Sequence, residues 1–368
     1  MRIHGHAYRT IWTEDQAVLV IDQTRLPHDF TVCRLTSLEE ACHAIVHMTV
    51  RGAPLIGITA AYGLWLALQH SPDDAMLNEA QQRLLHTRPT AVNLQWALAC
   101  MDKVLRPLPA AQRLAAAKRE ADRLAEADVA CCHAIGQHGL KLFRALAEKK
   151  QRSLSILTHC NAGWLATVDW GTALAPIYQA HDAGLPVHVF VDETRPRNQG
   201  ASLTAYELLA HGVPHTVIAD NAGGHFMQHA EIDLCIVGAD RVTASGDVAN
   251  KIGTYLKALA AKDNHIPFYV AVPSSTIDWS LDNGVREIPI EERSAEEVTH
   301  LQGRDDQGQI TRIALTPTGS PARNPAFDVT PAPLVTALIT ERGVVPATRS
   351  GLASLFPEFS HDHAPLTR

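Results

Sequence analysis

Short apolar runs alternate with helical segments from residue 153 onward, and this alternation constrains the fold more than any other feature. The runs are Ser153–Thr158, Val187–Val191, Thr216–Ala219, Leu234–Val237 and Phe268–Val272. Buried strands separated by helices are typical of βαβ units, which build a parallel sheet with helices on both faces. The sequence therefore predicts a Rossmann-like parallel sheet in a C-terminal domain, residues 151–368.

Residues 1–150 show a different pattern. Two short alternating runs, Ala17–Ile21 and Phe30–Val32, predict a small antiparallel sheet. A proline at position 54 is typical of a first helical turn, and the apolar segment after it predicts a helix to about Gln69. Further helices are expected near Ala75, after Thr90 and over 110–150. We expect an α/β protein whose N-terminal domain, 1–150, is mostly helical with a small sheet.

The charge balance argues against several classes of partner. The chain carries a net charge of −7, whereas a protein that binds nucleic acid normally presents a basic face. The apolar stretch from Leu55 to Leu68 is too short to span a bilayer, so no membrane contact is expected. The first residues lack the apolar core of a secretory signal, which predicts a cytoplasmic protein.

Cysteine and histidine usage gives no sign of a metal or a disulfide framework. The seven cysteines are irregularly spaced without a CxxC pair, and the twenty histidines show no HExxH motif. The chain also lacks a GxGxxG run after a predicted strand and a Walker A motif, which disfavours a dehydrogenase and nucleotide chemistry. We therefore expect reduced thiols, no metal and no cofactor.

Polar residues follow the predicted strands, where ligands bind in open α/β sheets. They are Cys160-Asn161, Asp192-Glu193, Asp220-Asn221, Gly238-Ala239-Asp240 and Pro273-Ser274-Ser275. A carboxyl group at such an edge, near apolar walls, has a raised pKa and can donate a proton near neutrality, which makes Asp240 a candidate acid. Asp240 could instead cap a helix or pair with Arg241, and Cys160 could be an ordinary core thiol.

Several segments suit an anion. Arg51 and Gly52 precede a helix whose amide groups and dipole attract negative charge, and Arg88-Pro89-Thr90 repeats this arrangement. Asn250 and Lys251 are expected to open another helix and to offer an amide and an ammonium group. The loop 194–200 is long enough to close over a ligand. Together these segments predict a phosphate site beside an acid and a thiol.

The same segments resemble the methylthioribose-1-phosphate isomerase family, in the superfamily that includes regulatory subunits of translation initiation factor 2B. The matching motifs are RGAPLIG at 51–57, RPTAVNL at 88–94, THCNAG at 158–163, ETRPRNQG at 193–200, GADR at 238–241, GDVANKIGTY at 246–255 and NPAFDVTPA at 324–332. The resemblance implies Cys160 and Asp240 as the catalytic pair. It implies substrate contacts from Arg51, Gly52, Ala53, Arg88, Gln199, Asn250 and Lys251, a homodimer, and no metal or organic cofactor.

The implied reaction converts 5-methylthioribose 1-phosphate to 5-methylthioribulose 1-phosphate. Two departures from the family pattern leave the sugar's 5-substituent open: Ala201-Ser202-Leu203 where an arginine is usual, and the segment Asn221–His225. A 5-deoxyribose 1-phosphate substrate, ribose 1,5-bisphosphate, and a non-catalytic subunit that binds a sugar phosphate or nucleotide are the alternatives. Retention of both Cys160 and Asp240 favours an enzyme.

Overall fold

Two small antiparallel sheets and five helices form the first 150 residues of the computed structural model, which describes residues 1–3, 5–88 and 90–359. The strands are β1 (Arg2–Ile3), β2 (His6–Ala7), β3 (Ile11–Glu14), β4 (Ala17–Ile21) and β5 (Val32–Leu35). The helices are α1 (Leu38–Val46), α2 (Ala53–His70), α3 (Asp74–Thr87), α4 (Val92–Leu105) and α5 (Ala110–Lys150). The mostly helical N-terminal region with a small sheet is confirmed. Pro89 and residues 360–368, which the sequence predictions included, lie outside the described ranges.

Helix α2 is the centre of this region. It is apolar on all sides, which is typical of a helix enclosed by others, and it packs against α1, α3, α4 and α5. Helix α2 starts at Ala53, directly after Gly52. Because the surrounding helices fix its position, they also fix the direction of its amino end.

The remaining strands, in chain order, are β6 (Leu154–Thr158), β7 (Val187–Asp192), β8 (His215–Ile218), β9 (Leu234–Val237), β10 (Arg241–Thr243), β11 (Val248–Lys251), β12 (Phe268–Ala271), β13 (Ile277–Asp278), β14 (His300–Arg304), β15 (Ile310–Ala314), β16 (Phe327–Thr330), β17 (Ala337–Thr340) and β18 (Gly343–Val345). The helices are α6 (Ala175–Asp182), α7 (Ala205–His211), α8 (Gly223–Gln228), α9 (Thr254–Asp263), α10 (Gly284–Glu287), α11 (Glu296–Thr299) and α12 (Arg349–Leu355).

Seven strands form one sheet in the order β18-β17-β12-β9-β6-β7-β8, and only the β17–β18 pair is antiparallel among them. Consecutive residues of β6 point to opposite faces: Ile156 joins a core with α5 and α6, whereas Leu157 joins a core with α8, α9 and α12. Helices therefore cover both faces, as the sequence predicts.

A second sheet has the strand order β13-β10-β11-β16, and β10, its first strand in the chain, follows β9 after three residues. In it β11 pairs antiparallel with β16, so that Lys251 lies opposite Phe327. A hairpin of β14 and β15 lies nearby in the chain. The sequence predictions contained neither feature.

Helix α5 ends at Lys150, where the sequence places the domain boundary, but it contributes to two cores. Ala117 and Leu124 pack in the N-terminal core, and Ile135 and Phe143 pack beside the parallel sheet. The division into 1–150 and 151–368 stays a prediction. None of the helices in the described ranges is both long and apolar enough to cross a bilayer.

Candidate active site

The order in which successive strands are added to the sheet reverses between the parallel neighbours β6 and β9. From β6 the chain proceeds through β7 to β8 on one side, and it returns to β9, β12 and β17 on the other. Such a switch point opens a crevice at the carboxyl ends of the strands. Cys160 follows β6 and Asp240 follows β9, so both residues implied as catalytic lie at this crevice.

One pocket at the crevice brings together the catalytic pair and all seven substrate contacts that the resemblance implies, whereas the strand-end residues Asp192-Glu193, Asp220-Asn221 and Ser274-Ser275 do not line it. Its lining includes Arg51, Gly52, Ala53, Arg88, Cys160, Gln199, Asp240, Asn250 and Lys251. The geometry shows that they are neighbours, and their individual roles stay predictions.

The backbone of Cys160 has an unusual conformation, with φ at +66°. This left-handed region is uncommon for residues other than glycine and requires support from neighbours. Two hydroxyl groups supply it: Thr194 Oγ1 accepts from the Cys160 N–H at 2.8 Å, and Thr204 Oγ1 donates to the Cys160 carbonyl at 2.7 Å. The position of the thiol is therefore fixed by the segments that contain Thr194 and Thr204.

Cys160 is 6% exposed, and its thiol donates to Gln199 Oε1 at 3.4 Å. Burial raises the pKa of Cys160, although the nearby cations Arg51 and Lys251 oppose the shift. A raised pKa favours the protonated thiol, which the hydrogen bond to Gln199 requires.

Asp240 reaches the pocket through Gly238 and Ala239, and its N–H donates to the Ala249 carbonyl at 2.9 Å. Burial raises the pKa of this carboxyl group, and Lys251 and Arg51 oppose the shift. A carboxyl group with a raised pKa keeps its proton closer to neutral pH, which a general acid needs.

The amino end of α2 forms another wall. Gly52 is the N-cap with φ at +96°, and a Cβ on it would lie 2.6 Å from the Cβ of Ala166, so only glycine fits. Arg51 donates twice to Asn161, to Oδ1 at 2.6 Å and to the carbonyl at 2.8 Å. The free N–H groups of the first helical turn, beginning with Ala53, make this end attractive to an anion.

Arg88 also lines the pocket, but it closes α3 and lies before α4, whose N-cap is Ala91. Its guanidinium pairs with Glu291 Oε2 at 3.1 Å. Arg88 therefore contributes a side chain that is already paired, and α4 begins at Val92, after Thr90 as the sequence predicts.

The predicted helix start at Asn250 and Lys251 is wrong, because both residues belong to β11 and α9 begins at Thr254. Asn250 Nδ2 donates to Thr254 Oγ1 at 3.0 Å. Lys251 is 7% exposed, and its Nζ lies 4.6 Å from the centre of the Phe327 ring. Its ammonium group makes no ion pair or hydrogen bond with the described part of the chain, and burial lowers its pKa, although Cys160 and Asp240 oppose the shift. A buried ammonium group without a counter-ion favours an incoming anion.

A wider cleft adjoins the pocket and shares Met48, Arg51 and Gln199 with it. Its walls include the predicted loop 194–200, which is fastened by an Arg197–Glu297 ion pair of 2.8 Å. The cleft is a polar route from solvent to the pocket.

Beside the pocket, His159 Nδ1 lies 2.7 Å from Asp192 Oδ2, and Asp220 is near enough for the three to approximate a cation site. However, Lys257 Nζ lies 3.2 Å from the same Asp192 oxygen. An ammonium group already supplies the positive charge there, and His159 Nε2 contacts the Ile252 carbonyl at 2.8 Å. This group is best described as a hydrogen-bonded support behind Cys160.

Sequence reasoning missed Phe327 as part of the site, and it placed Asn161 at the strand end without a role. Both lie within quoted motifs, NPAFDVTPA and THCNAG, so the motifs held a signal that was not assigned to individual residues. Phe327 reaches the pocket only through the β11–β16 pairing.

The fold and the pocket together define a Rossmann-like α/β protein with a pocket lined by Arg51, Arg88 and Lys251 at its switch point. A model described as the initiation factor 2 subunit family matches residues 49–347. The methylthioribose-1-phosphate isomerase of Methylorubrum populi is 66% identical over 360 residues, which cover 97% of this chain and 99% of that protein.

Two solved structures are also similar. The crystal structure of 5-methylthioribose 1-phosphate isomerase from Pyrococcus horikoshii has a TM-score of 0.83 and 40% identity, covering 96% of each chain. That of translation initiation factor eIF-2B subunit delta from A. fulgidus has a TM-score of 0.78 and 37% identity, covering 95% of this chain and 100% of that one. The chain belongs to the initiation factor 2 subunit family, in the branch that contains these methylthioribose-1-phosphate isomerases.

Proposed function

We propose that this protein isomerises 5-methylthioribose 1-phosphate to 5-methylthioribulose 1-phosphate. The observation that carries the proposal is the shared pocket of Asp240, Cys160 and the unpaired ammonium of Lys251. The 66% identity to a methylthioribose-1-phosphate isomerase over nearly the whole chain supports the same substrate.

In this proposal the phosphate binds between Lys251, Arg51 and the amino end of α2. A phosphate there gains the charge of Lys251 and the amide groups of the first helical turn. Arg88 and Asn250 contact the remaining phosphate or hydroxyl oxygens, and Gln199 holds the thiol beside the sugar. The apolar side chains of Met48, Ile56 and Phe327 line the same pocket and suit the 5-methylthio group.

Asp240 acts first, as the acid. The anomeric oxygen carries the phosphate, so the furanose ring cannot open to a free aldehyde. Asp240 protonates the ring oxygen, and the bond between C1 and this oxygen then breaks, with its electron pair going to the oxygen. This leaves a hydroxyl group on C4 and an electron-poor C1. The raised pKa of Asp240 supports this role, because the acid form must be present before reaction.

Hydrogen then moves from C2 to C1. In a hydride shift, the C2–H pair moves to C1, C2 becomes a carbonyl, and the proton of its hydroxyl group returns to Asp240. In the alternative route, the Cys160 thiolate removes the C2 proton and an enol forms. The thiol then delivers a proton to C1, C2 becomes a carbonyl, and the proton of the enol hydroxyl group returns to Asp240. The raised pKa of Cys160 supports the hydride route, since a thiol is a poor base. Both routes are redox-neutral within the sugar, so the chemistry needs no cofactor.

Selectivity for the 5-substituent is expected to be limited. An apolar pocket distinguishes similar groups by about 1–3 kcal/mol per methylene, so 5-deoxyribose 1-phosphate is a second proposed substrate. Ribose 1,5-bisphosphate would need a further cationic pocket. The homodimer and the cytoplasmic location implied by the family resemblance stay predictions.

The test is to incubate purified protein with each of these three sugars and to follow ketose formation by NMR. Asp240→Asn should lower turnover by about 100-fold or more, because it removes the general acid. Asp263→Asn, at an exposed aspartate that ends α9, is the matched control and should keep full activity. Near-full turnover by Asp240→Asn contradicts the acid role, and no turnover of any sugar by folded wild-type protein favours the non-catalytic subunit.

Deuterium at substrate C2 distinguishes the two routes. Retention at product C1 supports the hydride shift, and exchange with solvent supports Cys160 as the base.

A further inference from the structure

A carboxylate lies fully buried behind the pocket, on the side away from solvent. Glu207, in α7, has 0% exposure and makes no ion pair with the described residues. A buried carboxylate without a cation is costly unless hydrogen-bond donors surround it. Its surroundings therefore indicate what it does.

Four donors converge on Glu207, two on each oxygen. Oε1 accepts from Asn161 Nδ2 at 2.9 Å and from the Leu165 N–H at 3.0 Å. Oε2 accepts from the Trp164 N–H at 2.9 Å and from the Tyr178 hydroxyl at 2.6 Å. Burial raises the pKa of Glu207, but the donors oppose this shift. The acceptor pattern fits the ionised form, because each carboxyl oxygen faces a backbone N–H group, which can only donate.

The first consequence concerns Arg51. Since Glu207 can only accept, the Asn161 amide must turn its NH₂ group toward Glu207 and its Oδ1 toward the pocket. That oxygen accepts from Arg51 at 2.6 Å. Glu207 thus determines the orientation of the group that holds the guanidinium.

The second consequence concerns Cys160. Asn161 Nδ2 also donates to Thr204 Oγ1 at 3.2 Å, and the Thr204 hydroxyl donates to the Cys160 carbonyl at 2.7 Å. The left-handed backbone of Cys160 is therefore tied to the same carboxylate through three hydrogen bonds in series.

The third consequence concerns α2. Trp164 and Leu165 begin a short 3-10 turn that ends at Ala166, and Ala166 is the residue against which Gly52 packs. A Cβ on Gly163 would lie 1.8 Å from Glu207 Oε2, so the glycine of the THCNAG motif is required by the carboxylate. The three connections lead from one buried group to the thiol, the guanidinium and the helix end.

We propose that Glu207 is a positioning residue that aligns Arg51, Cys160 and the amino end of α2 for the isomerisation. The roles of those three groups rest on the proposed function, whereas their connection to Glu207 rests on the hydrogen bonds alone. Glu207 does not touch the substrate.

The test uses Glu207→Gln in the full chain. Glutamine offers one acceptor oxygen and adds two donors, so two of the four native donors lose their partner and the Asn161 amide is free to turn. We expect kcat/KM to fall by about 100-fold, since small misplacements of reacting groups have effects of this size. Asn161→Ala, which removes the connection but leaves three donors on Glu207, is the second variant if Glu207→Gln does not fold.

A double-mutant cycle separates positioning from a merely structural role. If Glu207 acts through Arg51, adding Arg51→Ala to Glu207→Gln costs much less than Arg51→Ala alone. Asp233→Asn is the matched control: this buried carboxylate accepts the Ser155 N–H at 2.9 Å at the opposite edge of the sheet. It should lower the melting temperature, leave kcat/KM unchanged and show additivity with Arg51→Ala.

Binding of α-ribose 1-phosphate, measured by calorimetry, keeps the test independent of turnover. Weaker binding by folded Glu207→Gln and Asn161→Ala supports positioning even if the wild type turns over no sugar, which would contradict only the proposed function. Wild-type kinetics and binding in these folded variants, or full additivity with Arg51→Ala, would overturn the role of Glu207.

Discussion

Replacement of Lys251 by methionine separates ligand binding from stability, because the two should respond differently. Methionine is close in length and apolar, so Lys251→Met removes the charge and keeps most of the volume. At the roughly 4 Å of an ammonium–phosphate contact, an effective dielectric constant of about 20 gives about 4 kcal/mol. Loss of that energy corresponds to about 1,000-fold in affinity.

The stability of the unliganded protein should change little. Lys251 loses its contact with the Phe327 ring, which is 4.6 Å away and worth about 1–2 kcal/mol. Against this, burial of the unpaired ammonium is no longer a cost, and a methionine sulfur interacts with an aromatic ring by about 0.3–1.5 kcal/mol. These effects offset each other, so the melting temperature should stay within a few degrees.

The assay measures kcat/KM and the melting temperature of Lys251→Met beside Lys262→Met, a control at an exposed lysine in the last turn of α9. Because burial lowers the pKa of Lys251, wild-type affinity should fall at a lower alkaline pH than a free lysine would give, and the variant should lack this decline. A large loss of stability with kcat/KM within about threefold of wild type would refute the reasoning, since it would make Lys251 a structural residue.

Two further predictions concern carboxyl groups and pH. Burial raises the pKa of Asp240, so the folded state holds this proton more tightly, and its stabilising contribution present at low pH is lost as pH rises through the folded pKa. Asp240→Asn should therefore gain in melting temperature relative to wild type as the pH rises above about 4, the ordinary pKa of an aspartate, and a constant difference would contradict this. Burial raises the pKa of Asp128 to about 7, so the same sign applies, and wild-type stability should decline from about pH 4 to about pH 7. Asp128→Asn should remove part of this slope in thermal melts, and an unchanged slope would exclude Asp128 as its source.

The central strands could be predicted because each is a short, mainly apolar run. The prediction for Leu234–Val237 agrees with β9 residue for residue, since all four side chains are buried and their pattern depends on no partner. The same local signal placed Cys160 and Asp240 at strand ends, and the pocket follows from sheet topology.

The strand character of Lys251 could not be predicted in the same way. The segment Val248–Lys251 becomes a strand by pairing with Phe327–Thr330, more than seventy residues later in the chain. The local pattern of apolar residues gives no information about a partner at that distance. Glu207 was missed for a related reason: in the sequence AYELLAH it resembles an exposed helical residue, and only the Trp164 and Leu165 amides explain its burial.

The pairing of β11 with β16 has a consequence for insertions and deletions. Successive residues of a strand face opposite sides, so one extra residue inside β11 would turn Lys251 away from the pocket and bring a neighbour in. The long connection between the two strands carries the β14–β15 hairpin and can change in length without altering that register. Natural variation in length should therefore accumulate between residues 279 and 323 and be absent from the four residues of β11.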